Sequence, residues 1–96
     1  LIMRDKIKSA IKKAENLDIK AYNEGRKNYK SGSMEDVAAA RAEVCASCDK
    51  NVVEPIDDLK VNDTIDAVCG KMCDVCGCSL PYLIRQNVKN CSLNKW

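Results

Sequence analysis

The sequence predicts a small α+β protein, in which N-terminal helices precede a zinc-ribbon-like module stapled by cysteine. Three observations lead there. Apolar residues recur at helical steps through the first part of the chain. Cysteines crowd the second half in C-x2-C units. Large aromatic side chains are scarce, with no phenylalanine, one tryptophan (Trp96) and three tyrosines (Tyr22, Tyr29 and Tyr82). A chain of 96 residues suffices for one domain, but its own core would be marginal. The apolar fraction of 46% rests heavily on alanine and cysteine, so some other staple is needed.

Residues 3–21 read as an amphipathic helix. Met3, Ile7, Ala10, Ile11, Ala14, Leu17 and Ala21 recur at steps of three and four, with lysines on the other faces. So few bulky apolar residues leave such a helix marginal in water unless it docks on its own C-terminal half or on another subunit. Asn23, Gly25 and Asn28 weaken the pattern, and Ser31-Gly32-Ser33 ends it at an expected hinge. This divides the chain into a helical arm, residues 1–32, and a short helix plus metal-binding module, residues 33–96.

Ser33 reads as an N-cap, and Glu35 and Asp36 place negative charge in the first turn, where the helix dipole favours it. Residues 34–44 should therefore be helical and lead directly into Cys45. Residues 49–68 combine apolar positions with six acidic residues and Pro55, predicting a loop with one or two short strands and a helical turn near Asp63-Thr64. Leu80 to Ile84 reads as a short hydrophobic strand.

Cys45-Ala46-Ser47-Cys48 and Cys73-Asp74-Val75-Cys76 are both C-x2-C units, the second followed by Gly77. Two residues between ligands let the backbone turn and bring both sulfurs within about 2.3 Å of one zinc ion. A glycine after the second ligand allows the positive φ of a tight turn. Two units separated by 24 residues suit a four-thiolate tetrahedron with no open position. Cys78 and Cys91 complicate the assignment, and three arrangements stay open. Two ions could share six thiolates. One ion could take another four, such as Cys45, Cys48, Cys78 and Cys91. Alternatively, Cys78 and Cys91 are free thiols or a disulfide. Cys69 is the least regular and is left outside the site, as a buried small hydrophobe.

Other chemistry fits poorly. The chain has no histidine, whereas catalytic zinc keeps an open position and usually uses histidine or carboxylate ligands. The deaminase pairing of a glutamate with a metal ligand is missing, as is the βαβ context of thioredoxin-like C-x2-C sites. The expectation is a non-enzymatic protein with Zn2+ as cofactor and no small-molecule substrate. An odd cysteine count, seven, and no hydrophobic run of signal-peptide length favour metal-bound thiolates in a reducing compartment. No stretch is apolar enough for a membrane span. The first residue is not methionine, which leaves an upstream segment open.

The residues Arg41-x-x-x-Cys45-x-x-Cys48, Cys73-x-x-Cys76-Gly77-Cys78-x-Leu80, then Cys91 and a terminal Lys95-Trp96 resemble a group of small cysteine-rich proteins of tailed bacteriophages. The resemblance covers about residues 41–96. It implies that Cys45, Cys48, Cys73, Cys76, Cys78 and Cys91 are the metal-site cysteines. It also implies an auxiliary or minor virion component, associated with the capsid or connector and assembled in the host cytoplasm. The chain departs from the family pattern at Ser92, where a proline is usual, and at Leu83, where a lysine is usual. Neither change removes a ligand.

Charge supplies the partner expectations. Residues 1–32 carry +5, residues 33–68 carry −6 and residues 69–96 carry +3. The basic arm would lie on other virion proteins, such as capsid or connector subunits. The alternative is a nucleic-acid-binding zinc-ribbon accessory factor using Arg4, Lys6, Lys8, Lys12, Lys13, Lys20, Arg26, Lys27 and Lys30, with Tyr22 and Tyr29 interleaved. The acidic block and a pI near 8.2 weigh against that alternative.

Overall fold

The computed structural model describes the backbone of residues 2–96 and the side chains from Arg4 onward. Leu1, first residue of the expected arm, and the side chain of Met3, part of the expected stripe, lie outside the described residues. The fold is a small α+β arrangement. It contains helices α1 (Ile2–Glu15), α2 (Ile19–Ser31), α3 (Glu35–Ala46) and α4 (Leu80–Leu83), and strands β1 (Asn51–Val53) and β2 (Lys71–Cys73). The strands pair antiparallel with Asn51 opposite Cys73, and Met72 also bridges to Ser79.

The expected single helix over 3–21 is two helices. Asp18 breaks it: its extended backbone caps α2, and its carboxylate accepts a hydrogen bond from Ala21 N at 3.0 Å. Gly32, with φ 72°, closes α2 as expected. The cap of α3 is Met34, not Ser33, and Ser33 instead pairs its hydroxyl with that of Ser31 at 2.8 Å. Leu80–Leu83 is a helical turn, not a strand. Pro81 sits in its first turn, where its missing N–H costs nothing and its fixed φ suits a helix.

The core lies between α3, the turn at residues 64–70 and α4. Ala38, Ala42, Cys45, Val68, Cys76, Leu80, Leu83 and Ile84 are buried together, with Ile65, Cys73, Cys78 and Trp96 packed against them. No aromatic ring is fully buried within it. Cysteine and alanine occupy positions that phenylalanine and leucine fill in larger cores.

The dock of α2 is small-residue packing. Ala21 and Gly25 are its buried positions, and a Cβ on Gly25 would lie 2.2 Å from the Tyr82 carbonyl oxygen. Tyr22 and Tyr29 straddle that contact and meet the Tyr82 ring edge-on, with centroids 5.6 and 5.3 Å away.

Helix α1 docks through its polar face. Ser9 is buried and donates to Glu54 at 3.2 Å; Lys13 pairs with the same carboxylate at 2.6 Å and donates to the Gly77 carbonyl. Lys12 donates to the Asp74 carboxylate and carbonyl, both at 2.7 Å. A desolvated Glu54, 1% exposed, requires a cation, and Lys13 supplies it. The expected apolar docking face, in contrast, points outward, with Ile7 and Ile11 about half exposed.

A second buried charge that the sequence did not foretell is Arg85. Arg85, 2% exposed, donates to Asp63 at 2.6 and 3.2 Å, to Glu35 at 2.9 Å and to the Pro81 carbonyl at 2.7 Å. It ties the start of α3, the acidic loop and α4 at one point. No described helix is long and apolar enough to cross a membrane.

Candidate metal centre

The first C-x2-C unit grows out of the end of α3. Cys45 occupies the last turn, Ser47 caps the helix, and Cys48 N donates back to the Cys45 carbonyl at 3.1 Å. Asn51 Nδ2 then ties the Cys45 carbonyl (3.1 Å) to that of Ala67 (2.9 Å). The second unit is a turn leaving β2. Gly77 N donates to the Cys73 carbonyl at 2.7 Å, and Cys73 N donates to the Cys78 carbonyl at 3.0 Å. Gly77 is required twice here. Its φ is +78°, and a Cβ would come 2.9 Å from the Lys13 backbone nitrogen. Pairing of β1 with β2 sets the two turns side by side, and Asp74 N reaches the Lys50 carbonyl at 2.8 Å.

The thiols fall into two neighbourhoods. Cys73 and Cys78 both donate toward the Cys76 sulfur. These bonds pull Cys76 well below the usual thiol range against the opposing effect of burial, with Lys89 assisting. As donors to that sulfur, and by burial, Cys73 and Cys78 are pushed far up. Cys45, Cys48 and Cys91 form the second neighbourhood. Burial raises the Cys45 thiol first, the nearby Trp96 indole opposes it, and the charges of Cys91 and Cys48 raise it further. Sequence spacing left the place of Cys91 open among three arrangements, and the fold sets it beside the first C-x2-C unit.

Two lysines reach these sulfurs. Lys89 Nζ lies 3.2 Å from Cys78 Sγ and Lys95 Nζ 3.5 Å from Cys48 Sγ. Burial disfavours the Lys89 charge, but Cys78 and Cys76 more than offset it and raise its pKa. The Arg41 guanidinium lies 4.6 Å from the centroid of the Trp96 ring and donates to the carbonyls of Ile84 (3.2 Å) and Gln86 (2.8 Å). The Trp96 Nε1 is buried near Cys45 with no hydrogen-bond partner.

Four of the six sequence-assigned cysteines, Cys45, Cys73, Cys76 and Cys78, line or border the core, and Cys48 and Cys91 are half-buried beside it. Cys69 sits in the turn ahead of β2, outside both groups. As placed, the side chains do not close a group of three or more His, Cys, Asp or Glu able to hold an ion, among the described residues. Lys89 was missed as a site component, whereas Arg41 had entered as the first residue of the C-terminal signature. A cation flanking a cysteine cluster is the sequence signal that Lys89 offered.

Comparison with family models, with curated proteins and with solved structures gives no match to this chain.

Proposed function

We propose that this chain is a non-enzymatic, structural zinc-binding protein, in which Cys45, Cys48, Cys73, Cys76, Cys78 and Cys91 supply a zinc-ribbon-like centre. The observation that carries this reading is the convergence of the two ends of the C-terminal signature on the sulfurs. Arg41 stacks on Trp96, Trp96 lies beside Cys45, and Lys95 reaches Cys48. The donor set fits the metal. Soft thiolates select zinc over hard cations, and four of them around a divalent ion leave a net charge of about −2. Lys89 and Lys95 are the groups that would offset that charge and donate hydrogen bonds to the thiolates, with the Trp96 indole N–H close by. An ion bound here would act as a staple, holding α3 and the β1–β2 turns together where the core has no large side chain to do so.

The resemblance of residues 41–96 to small bacteriophage proteins makes an auxiliary or minor virion component the favoured role, with capsid or connector subunits as partners. The nucleic-acid alternative loses ground. Tyr22 and Tyr29 are engaged with Tyr82, and Lys12 and Lys13 with Asp74 and Glu54, so part of the expected binding surface is committed internally. Mass spectrometry of purified particles of the phage encoding the chain should find it in stoichiometric, reproducible copy number. Particles that lack it would remove the virion role while leaving the metal assignment standing.

A further inference from the structure

Helix α1 carries an apolar stripe that its own chain leaves uncovered. Ile7, Ala10, Ile11 and Ala14 lie at steps of three and four on one side of the helix, and all four are exposed, Ile7 at 54% and Ile11 at 50%. The opposite side is held by Ser9, Lys12 and Lys13. One edge of the stripe is charged in order. Arg4 and Lys8 flank its N-terminal half and Glu15 its C-terminal end, and all three are exposed. None of the three makes an ion pair among the described residues.

We infer that two copies of this chain associate through α1, the helices packed antiparallel across a two-fold axis near Ile11. The order of charges selects this occupant. In an antiparallel pair, residues on the same edge face each other, so Lys8 of each copy meets Glu15 of the other, twice. A parallel pair brings opposite edges together, so Lys8 and Glu15 would face the Ala10 side of the other copy and lose this pairing. Ala10 and Ala14 beside the two isoleucines let the helix axes approach to about 8 Å. A helix of 14 residues gives a small contact, below about 1,200 Å² in total, so the dimer should be weak and concentration-dependent, on the order of tens of micromolar. The inference goes beyond the proposed metal-stapled role and needs neither the ion nor the virion.

The test is sedimentation equilibrium of the full chain, purified with zinc present, from about 5 to 500 μM, a range chosen to bracket that affinity. The mass should rise from 10.6 kDa toward twice that value. Ile11→Asp, at an exposed position, should hold it at 10.6 kDa with an unchanged circular dichroism spectrum. Lys8→Glu and Glu15→Lys should each weaken association by about three- to tenfold, and the two together in one chain should restore it. A monomer at every concentration overturns the inference, as does an Ile11→Asp chain that still dimerises. Failure of the double reversal to restore association overturns the antiparallel arrangement.

Discussion

Stripping the proposed zinc from the purified protein with a strong chelator should unfold residues 45–96 and release α1 and α2 from their docks. The buried core is built from Ala38, Ala42, Val68, Leu80, Leu83 and Ile84 together with cysteine. Structural zinc contributes an apparent ~10–16 kcal/mol in small sites, against a total stability of ~5–15 kcal/mol for an ordinary domain. An ion held at the proposed centre would therefore decide whether the module folds. Helix α1 depends on Glu54, Asp74 and Gly77, and α2 on Tyr82, so both lose their partners when the cysteine turns open. The far-ultraviolet circular dichroism signal should fall steeply, return on adding zinc, and be easier to abolish at lower pH, where thiolates must give up the metal to protons. Cys48→Ser or Cys76→Ser should reproduce the loss, whereas Cys69→Ser should be mild. A spectrum unchanged after complete metal removal would contradict the assignment.

Gly25→Ala should also be severely destabilising, and against the local rule. In the middle of an exposed helix this change normally stabilises by about 0.5–1 kcal/mol, because glycine loses the most backbone entropy on folding. Here the new methyl would stand 2.2 Å from the Tyr82 carbonyl oxygen and 2.9 Å from its carbon. Both are backbone atoms, so no flexible side chain can swing aside. The helix must move off α4, disturbing the Tyr22 and Tyr29 contacts with Tyr82 and the bond from Asn28 Nδ2 to the Arg85 carbonyl at 2.8 Å. The expected cost is about 2–3 kcal/mol or more, a fall in melting temperature on the order of 10 °C for a domain of this size. Asn23→Ala, at an exposed position of the same helix, should be neutral or stabilising. A Gly25→Ala protein as stable as the parent would mean that α2 is not seated on α4.

What the sequence made legible follows from which signals are local. The helix leading into Cys45 was readable because acidic residues and an alanine run are intrinsic to the segment, and α3 extends only slightly beyond the expected span. The break at Asp18 was hidden because Leu17 and Ala21 continue the apolar rhythm across it, while the capping bond depends on one carboxylate turning back. Leu80–Ile84 misled because short apolar runs do not distinguish a strand from a buried helical turn; Pro81 in a first turn was the overlooked clue. Periodicity located an apolar face on α1 but not its direction. Burial of Glu54 turned the lysines inward, a long-range electrostatic demand that no window of the sequence contains. The buried Arg85 belongs to the same class, since its partners Glu35 and Asp63 lie far from it in the chain. At the candidate centre, the C-x2-C units were legible from spacing. The place of Cys91 beside Cys45, and of Lys89 beside Cys78, required the fold.

Native mass spectrometry of the purified chain tests the central claim most directly. The account predicts a folded 10.6 kDa protein carrying a whole number of zinc ions, one or two per chain. Alkylation after acid release of the metal should then find all seven cysteines reduced. A folded chain that holds no metal, or whose cysteines are joined to one another as disulfides, would contradict it.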